Sequence, residues 1–241
     1  MKSGADLLKS RQLLKHFIKY LVFFALLSAC ESDEREKPEA ESAYFPLEKG
    51  LYYIYSVTET GFTPSELPRN LTYELMMEVI DSFPSTDGQY THVIHRSTRS
   101  APEGPWQLLD SWSVRKQDME IIVSEGDISF VKMRFPIRAE NRWDGNAYNS
   151  LGQDEYALKD INQPVVLNGM TFDKTLTVEQ EHNGDVIVFR DERKEIFAWN
   201  VGLVYKEVIQ LNYCTADHCL GQQKIDHGTE IKMVIREYGR R

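Results

Sequence analysis

Leu71-Thr72-Tyr73-Glu74-Leu75-Met76-Met77-Glu78-Val79-Ile80 decides the fold. Leu71, Tyr73, Leu75, Met77 and Val79 fall on every second residue, alternating with Thr72, Glu74, Met76, Glu78 and Ile80. In an extended chain successive side chains point to opposite faces, so this pattern buries one face and wets the other. Burial on one side only is the habit of antiparallel sheets. The same period recurs in Met119-Ile121-Val123, in Ile231-Met233-Ile235 set against Lys232 and Arg236, and from Leu203 to Tyr213.

Turn formers separate these runs: Asp87-Gly88, Glu125-Gly126, Asn168-Gly169 and Asn183-Gly184. Asx-Gly pairs supply the positive φ values of two-residue hairpin turns. Asn168-Gly169 is therefore expected to join Val165–Leu167 to Thr171–Glu179, and Asn183-Gly184 to join that strand to Val186–Arg190. Short helical turns are expected at Lys159-Asp160-Ile161-Asn162 and between Arg190 and Phe197. The expectation is an all-β fold, a single antiparallel domain of about ten strands over residues 44–241, without internal repeat or linker. It closes as a sandwich or as a strongly curved open sheet or half-barrel. A chain of this size buries roughly 70% of its unfolded surface, enough for a core without covalent staples.

The residues before the domain carry an address. Residues 1–20 hold Lys2, Lys9, Arg11, Lys15 and Lys19 against Asp6, and the apolar run Leu21-Val22-Phe23-Phe24-Ala25-Leu26-Leu27 follows. A cationic stretch, a short apolar core and small residues are the parts of an export signal, and the core is far shorter than the roughly 20 residues of a spanning helix. Leu27-Ser28-Ala29-Cys30 resembles a bacterial lipobox, which implies cleavage after residue 29 and diacyl modification of Cys30, with palmitate among the chains. Two chains hold a protein firmly where one holds it only marginally. Ordinary signal-peptidase cleavage nearby and an uncleaved anchor are the competing readings.

Residues 1–29 hold five of the 28 basic and one of the 37 acidic side chains, so the remaining 212 residues carry a net charge of −13. Such a surface repels phosphate backbones, which excludes nucleic acid as a partner. Residues 30–43, from Cys30 through Glu31-Ser32-Asp33-Glu34 to Ala43, lack aromatic and β-branched side chains and are expected to be a disordered acidic tether. Acidic residues just behind the cysteine resemble the surface-export signal of Bacteroidetes lipoproteins. That resemblance implies an outer-membrane anchor with the domain facing outward; a plain polar spacer implies a periplasm-facing one.

Tyr44-Phe45-Pro46-Leu47-Glu48-Lys49-Gly50-Leu51-Tyr52-Tyr53-Ile54-Tyr55 resembles the opening of a group of uncharacterised Bacteroidetes lipoproteins. Trp143-Asp144-Gly145-Asn146-Ala147-Tyr148-Asn149 and Val201-Gly202-Leu203-Val204-Tyr205-Lys206-Glu207 are similar to two further stretches of that group, with Asn200 where a glycine is usual. The resemblance implies a cell-envelope location and an all-β fold, and no catalytic residue.

Cys214 and Cys219 frame Cys214-Thr215-Ala216-Asp217-His218-Cys219. In an oxidising envelope they are expected to form a disulfide, with Cys30 accounted for by lipid. The alternative is a metal site drawing on Cys214, Cys219, His218 or Asp217, and His227. Asp144-Gly145-Asn146-Ala147-Tyr148-Asn149 departs from the alternating oxygen pattern of a calcium loop and reads as a turn. No cofactor and no metal is expected.

For catalysis there is no glycine-flanked serine elbow, no His-Glu-x-x-His, no phosphate-cradling loop and no dinucleotide fingerprint. Asp191-Glu192 and Asp154-Glu155 are adjacent acids, and neighbours on a strand diverge. Trp106, Trp112, Trp143 and Trp199 belong first to core packing. Trp143 and Tyr148, in a Gly/Asn-rich loop, are the candidate binding residues. The expected function is a lipid-anchored envelope lipoprotein acting as a non-enzymatic binding or structural module for an envelope protein, glycan or lipid. The alternative is a lipid-anchored hydrolase of envelope or external polymers, with Asp191 and Glu192 in its site.

Overall fold

A computed structural model describes residues 41–64, 66–85, 88–183 and 186–241. Cys30, the signal peptide and all but the last three residues of the tether lie outside the described residues. A 3-10 turn, Ser42–Tyr44, precedes twelve strands. They are β1 (Leu51–Phe62), β2 (Arg69–Pro84), β3 (Tyr90–Arg99), β4 (Gln107–Gln117), β5 (Glu120–Glu125) and β6 (Ile128–Arg134). The second half comprises β7 (Arg142–Asp144), β8 (Glu155–Leu167), β9 (Met170–His182), β10 (Phe189–Ala198), β11 (Gly202–Tyr213) and β12 (Ile225–Arg240).

All twelve belong to one antiparallel sheet in the order β6-β5-β4-β3-β2-β1-β12-β11-β10-β9-β8-β7. The first and last strands meet at its centre, where Leu51 pairs with Arg240 and Val57 with Met233. Its outer strands, β6 and β7, approach one another. Val131 N donates to the Gly145 carbonyl at 2.9 Å, and Trp143 Nε1 donates to the Val131 carbonyl at 2.8 Å. The sheet is therefore a nearly closed barrel, which leaves few unpaired edges.

The alternation in Leu71–Ile80 becomes the centre of β2, with Tyr73, Leu75, Met77 and Val79 turned inward against β1 and β3. Two contiguous apolar clusters fill much of the interior, one around Val114, Ile121, Leu158 and Leu176, the other around Tyr55, Leu75, Val204 and Ile235. Ion pairs such as Lys159–Glu179 and Lys194–Glu207 lie outside. Apolar inside and charged outside is the reverse of a barrel that spans a membrane. Among the described residues no helix is long and apolar enough to cross one.

Asn168 and Gly169 both have positive φ, 48° and 79°, and make the expected two-residue hairpin between β8 and β9. Gly184, half of the other expected turn, lies outside the described residues, as does Asp87. Neither helical turn forms. Residues 190–197 are part of β10, whose inward positions include Arg193 and Glu195, so the strand lacks an apolar alternation to read. At 159–162 the left-handed Asp160 and Asn162 (φ 46° and 59°) make a bulge in β8, interrupting its pairing with β9 between Lys159 and Gln163.

The last three residues of the expected tether, 41–43, are described and touch the barrel. Glu41 Oε2 accepts a hydrogen bond from Ile137 N at 3.0 Å, and the Ala43 carbonyl accepts one from Asn200 N at 2.8 Å. Residues 41–43 are thus fixed to the barrel. They lead Tyr44, 1% exposed, into the first apolar cluster.

Candidate functional site

A cavity of about 250 Å³ lies inside the barrel. Phe45 and Pro46, delivered by the segment that enters before β1, form part of its lining. Its walls are mostly apolar: Tyr53, Tyr55 and Val57 of β1, Leu75 and Met77 of β2, Phe197 of β10, Leu203 of β11 and Met233 of β12. The size falls just below the roughly 300–1,000 Å³ of typical small-molecule pockets, and the mixture of apolar wall and few polar groups is typical of them.

Five charged side chains share this lining: Arg96, Glu125, Lys132, Glu195 and Lys206. Lys132 Nζ lies 2.8 Å from Glu125 Oε1 and 3.2 Å from Glu195 Oε1, and Lys206 Nζ lies 3.1 Å from that same Glu195 oxygen. Burial opposes the Glu195 carboxylate, but Lys132 and Lys206 outweigh it and hold its pKa down to about 2. Burial likewise opposes the Lys132 ammonium, and Glu195 and Glu125 outweigh that to raise its pKa. Burial lowers the pKa of Arg96, against the pull of Asp110, whose Oδ2 lies 3.0 Å from Nη1. The guanidinium stacks 3.9 Å above the Trp112 ring, and its Nε is buried without a partner among the described residues.

A bulge explains how Lys132 enters an apolar interior. Ile121 pairs with Met133 and Ile122 with Val131, so Lys132 is the unmatched residue of β6 and turns inward, although Val131 and Met133 are buried too. Glu195 reaches the cavity by ordinary alternation with Phe197, and pairs directly across from Lys206.

Trp143 and Tyr148 are not brought together as a binding surface. Trp143 sits on β7, 4% exposed, its ring edge-on to Tyr156 and its N–H given to Val131. The Trp143 ring is buried at the seam where β7 approaches β6. Tyr148 is 51% exposed and donates to Glu120 Oε2 at 3.0 Å. The polar atoms of the adjoining loop are directed inward: Asp144 Oδ1 accepts from Asn146 N and Asp154 N, and Asn149 Nδ2 donates to the Ser129 carbonyl.

Asp191 and Glu192 diverge. Asp191 Oδ1 accepts from Arg193 Nε at 2.8 Å, while Glu192 makes a two-pronged pair with Arg190. Asp154, not Glu192, converges with Asp191, because Arg193 holds Asp154 through both terminal nitrogens. Two carboxylates clamped on one guanidinium face an arginine rather than the open space a glycosidic bond requires.

Cys214 and Cys219 are joined, with Cα atoms 5.8 Å apart, in the loop after β11. His218 brings a ring nitrogen within 4.8 Å of both sulfurs. As a disulfide the pair offers no thiolate to a metal. Asp217 and His227 are not part of that group.

No protein-family model and no curated protein matches the chain. Among solved structures, a candidate exported protein with a YmcC-like fold from Bacteroides fragilis is similar, with 14% identity and a TM-score of 0.44 over 81% of this chain and 98% of that one. A candidate lipoprotein from Parabacteroides distasonis is similar with 12% identity and a TM-score of 0.41 over the same shares.

Proposed function

We propose that the chain is a cell-envelope lipoprotein, held to the outer membrane by acyl chains on Cys30, whose barrel binds a small apolar ligand without converting it. The cavity that Phe45 and Pro46 help to line carries this reading. A water-filled apolar space is costly to maintain, and an apolar ligand that fills it gains the transfer free energy of its buried surface. Binding without conversion is supported by the charged groups. Glu195 stays ionised far below neutral pH and serves no proton donation, and Asp191 and Glu192 are each committed to an arginine.

The purified chain should raise the fluorescence of the apolar reporter N-phenyl-1-naphthylamine. Met77→Trp, which fills the cavity from the β2 wall, should abolish that rise while the circular dichroism stays that of a β protein. A native chain that leaves the reporter dark would remove the cavity from the reading. The anchor is tested separately: Cys30→Ser should lose labelled palmitate and release the protein from membranes, and persistent labelling would refute it.

A further inference from the structure

We propose that the Cys214–Cys219 disulfide masks a metal site: once a dithiol reduces it, Cys214, His218 and Cys219 bind one borderline-soft divalent cation of the zinc class. The loop between β11 and β12 carries it, independently of the cavity. Cys214 Sγ, Cys219 Sγ and a ring nitrogen of His218 lie within 4.8 Å of one another. No other three histidine, cysteine or acidic side chains among the described residues converge in this way. Thiolate and imidazole are the usual zinc ligands, and three protein ligands leave the fourth tetrahedral position open to water.

Hydrogen bonds shape the loop alongside the S–S bond. Cys214 N donates to the Lys224 carbonyl at 2.8 Å and closes its base, and Tyr213 N just before it donates to the Val188 carbonyl at 2.8 Å. Within the loop, Cys219 N and Leu220 N both donate to the Ala216 carbonyl at 2.9 Å, and Gln222 N donates to the Cys219 carbonyl at 3.1 Å. Gln222 Nε2 donates to the His218 carbonyl at 2.9 Å, which holds the backbone behind the imidazole. Cys219 is 1% exposed, so packing fixes it as well. Two thiolates at Zn–S distances of about 2.3 Å stand about 3.8 Å apart, which suits Cα atoms 5.8 Å apart.

A dithiol reductant balances the step. One of its thiolates attacks Cys214 Sγ, on the less buried of the two residues, and Cys219 leaves as a thiolate. The reductant's second thiol then displaces Cys214 and closes the reductant's own disulfide, so two electrons and two protons pass to the protein. The cation replaces those two protons, and His218 binds as the neutral imidazole, so affinity falls as the pH drops. Asp217 and His218 are exposed, which opens this side of the loop to a cation from solvent.

Co²⁺ binding tests this on the purified chain with Cys30→Ser, in which Cys214 and Cys219 are the two remaining cysteines. Reduced with dithiothreitol and freed of it without air, the chain should bind one Co²⁺. It should then show a sulfur-to-cobalt charge-transfer band and the ligand-field bands of a tetrahedral site, and Zn²⁺ should bleach both. The oxidised chain should show neither. His218→Ala should keep the circular dichroism of a β protein and lose at least about tenfold in Co²⁺ affinity, since even a partner behind a ligand is worth that much. Asp217→Ala and His227→Ala, outside the group, should leave the affinity as it is. A reduced chain without the charge-transfer band, bands as strong in the oxidised chain, or an affinity untouched by His218→Ala would overturn the site. Loss of the β-type spectrum on reduction would overturn it too, because the hydrogen bonds would then not hold the loop.

Discussion

Glu195 is ionised at 3% side-chain exposure because two ammonium groups share one of its oxygens. Charge taken out of water is favourable only where such partners repay its lost hydration, and removing one partner of a buried pair costs about 3–5 kcal/mol. Lys132→Met should therefore lower the unfolding free energy by about that amount, read from urea denaturation at neutral pH. The carboxylate also fixes a pH dependence. Its pKa falls from the ordinary 4.5 to about 2 on folding, so the folded chain binds fewer protons than the unfolded chain between those values. Stability contributed by this group is complete above about 4.5 and is lost as the pH falls through about 2. Glu195→Gln should be less stable at neutral pH and lose stability less steeply in that acid window; a slope equal to the native one would assign the acid loss to other carboxylates. None of this was legible in the sequence. Phe130-Val131-Lys132-Met133 shows only a lysine among apolar residues, and its inward turn depends on a bulge set by the register with β5. Asp191-Glu192, by contrast, was legible as a diverging pair because alternation alone separates them.

At the level of elements, the seam between β6 and β7 is where closure is thinnest. Most neighbouring strands share long ladders, whereas β7 is three residues long and meets β6 through the Val131–Gly145 and Trp143–Val131 bonds. Trp143 supplies both the volume and a hydrogen bond there. Gly145 is required beside it, since a Cβ would come within 2.2 Å of the Tyr156 ring. Trp143→Ala should cost about 3–5 kcal/mol as a buried aromatic truncation. Trp143→Phe should cost about 1 kcal/mol, chiefly for the hydrogen bond to the Val131 carbonyl. Hydrogen exchange should locate the effect: the Val131 amide should exchange faster in both variants, and unchanged protection there would show the seam to be held by something else. The long strands were readable from alternation, including those flanking Asn168-Gly169. β4 and β7 carry no such signal, for physical reasons. Leu108-Leu109 places adjacent apolar residues on a strand edge, both more than half exposed, and a three-residue strand has no period to read.

Across the whole molecule, closure depends on contacts between the two ends of the domain. Leu51 pairs with Arg240, and Arg241 N donates to the Gly50 carbonyl at 2.9 Å, so the sheet's central pairing joins residues that are remote in sequence. The segment just before β1 is fixed in the same region, and Tyr44 is its anchor. Its ring meets Trp199 edge-on at 5.0 Å, and its hydroxyl donates to Asn162 Oδ1 at 2.9 Å. Asn162 is itself one of the two left-handed residues of the β8 bulge, so the bulge that replaces an expected helical turn aims the acceptor for the entering chain. A short acidic stretch looks alike in sequence whether free or docked; Glu41 is held by one backbone amide, which composition does not reveal. Tyr44→Phe keeps the ring and loses the hydroxyl, and should cost about 1 kcal/mol. Tyr44→Ala empties a site that is 1% exposed and should cost about 3–5 kcal/mol in urea unfolding. Because Phe45 follows it into the cavity lining, the alanine variant should also weaken uptake of the naphthylamine reporter, whereas the phenylalanine variant should retain it. A stable alanine variant with native uptake would mean that β1 to β12 close the cavity without the segment that precedes them.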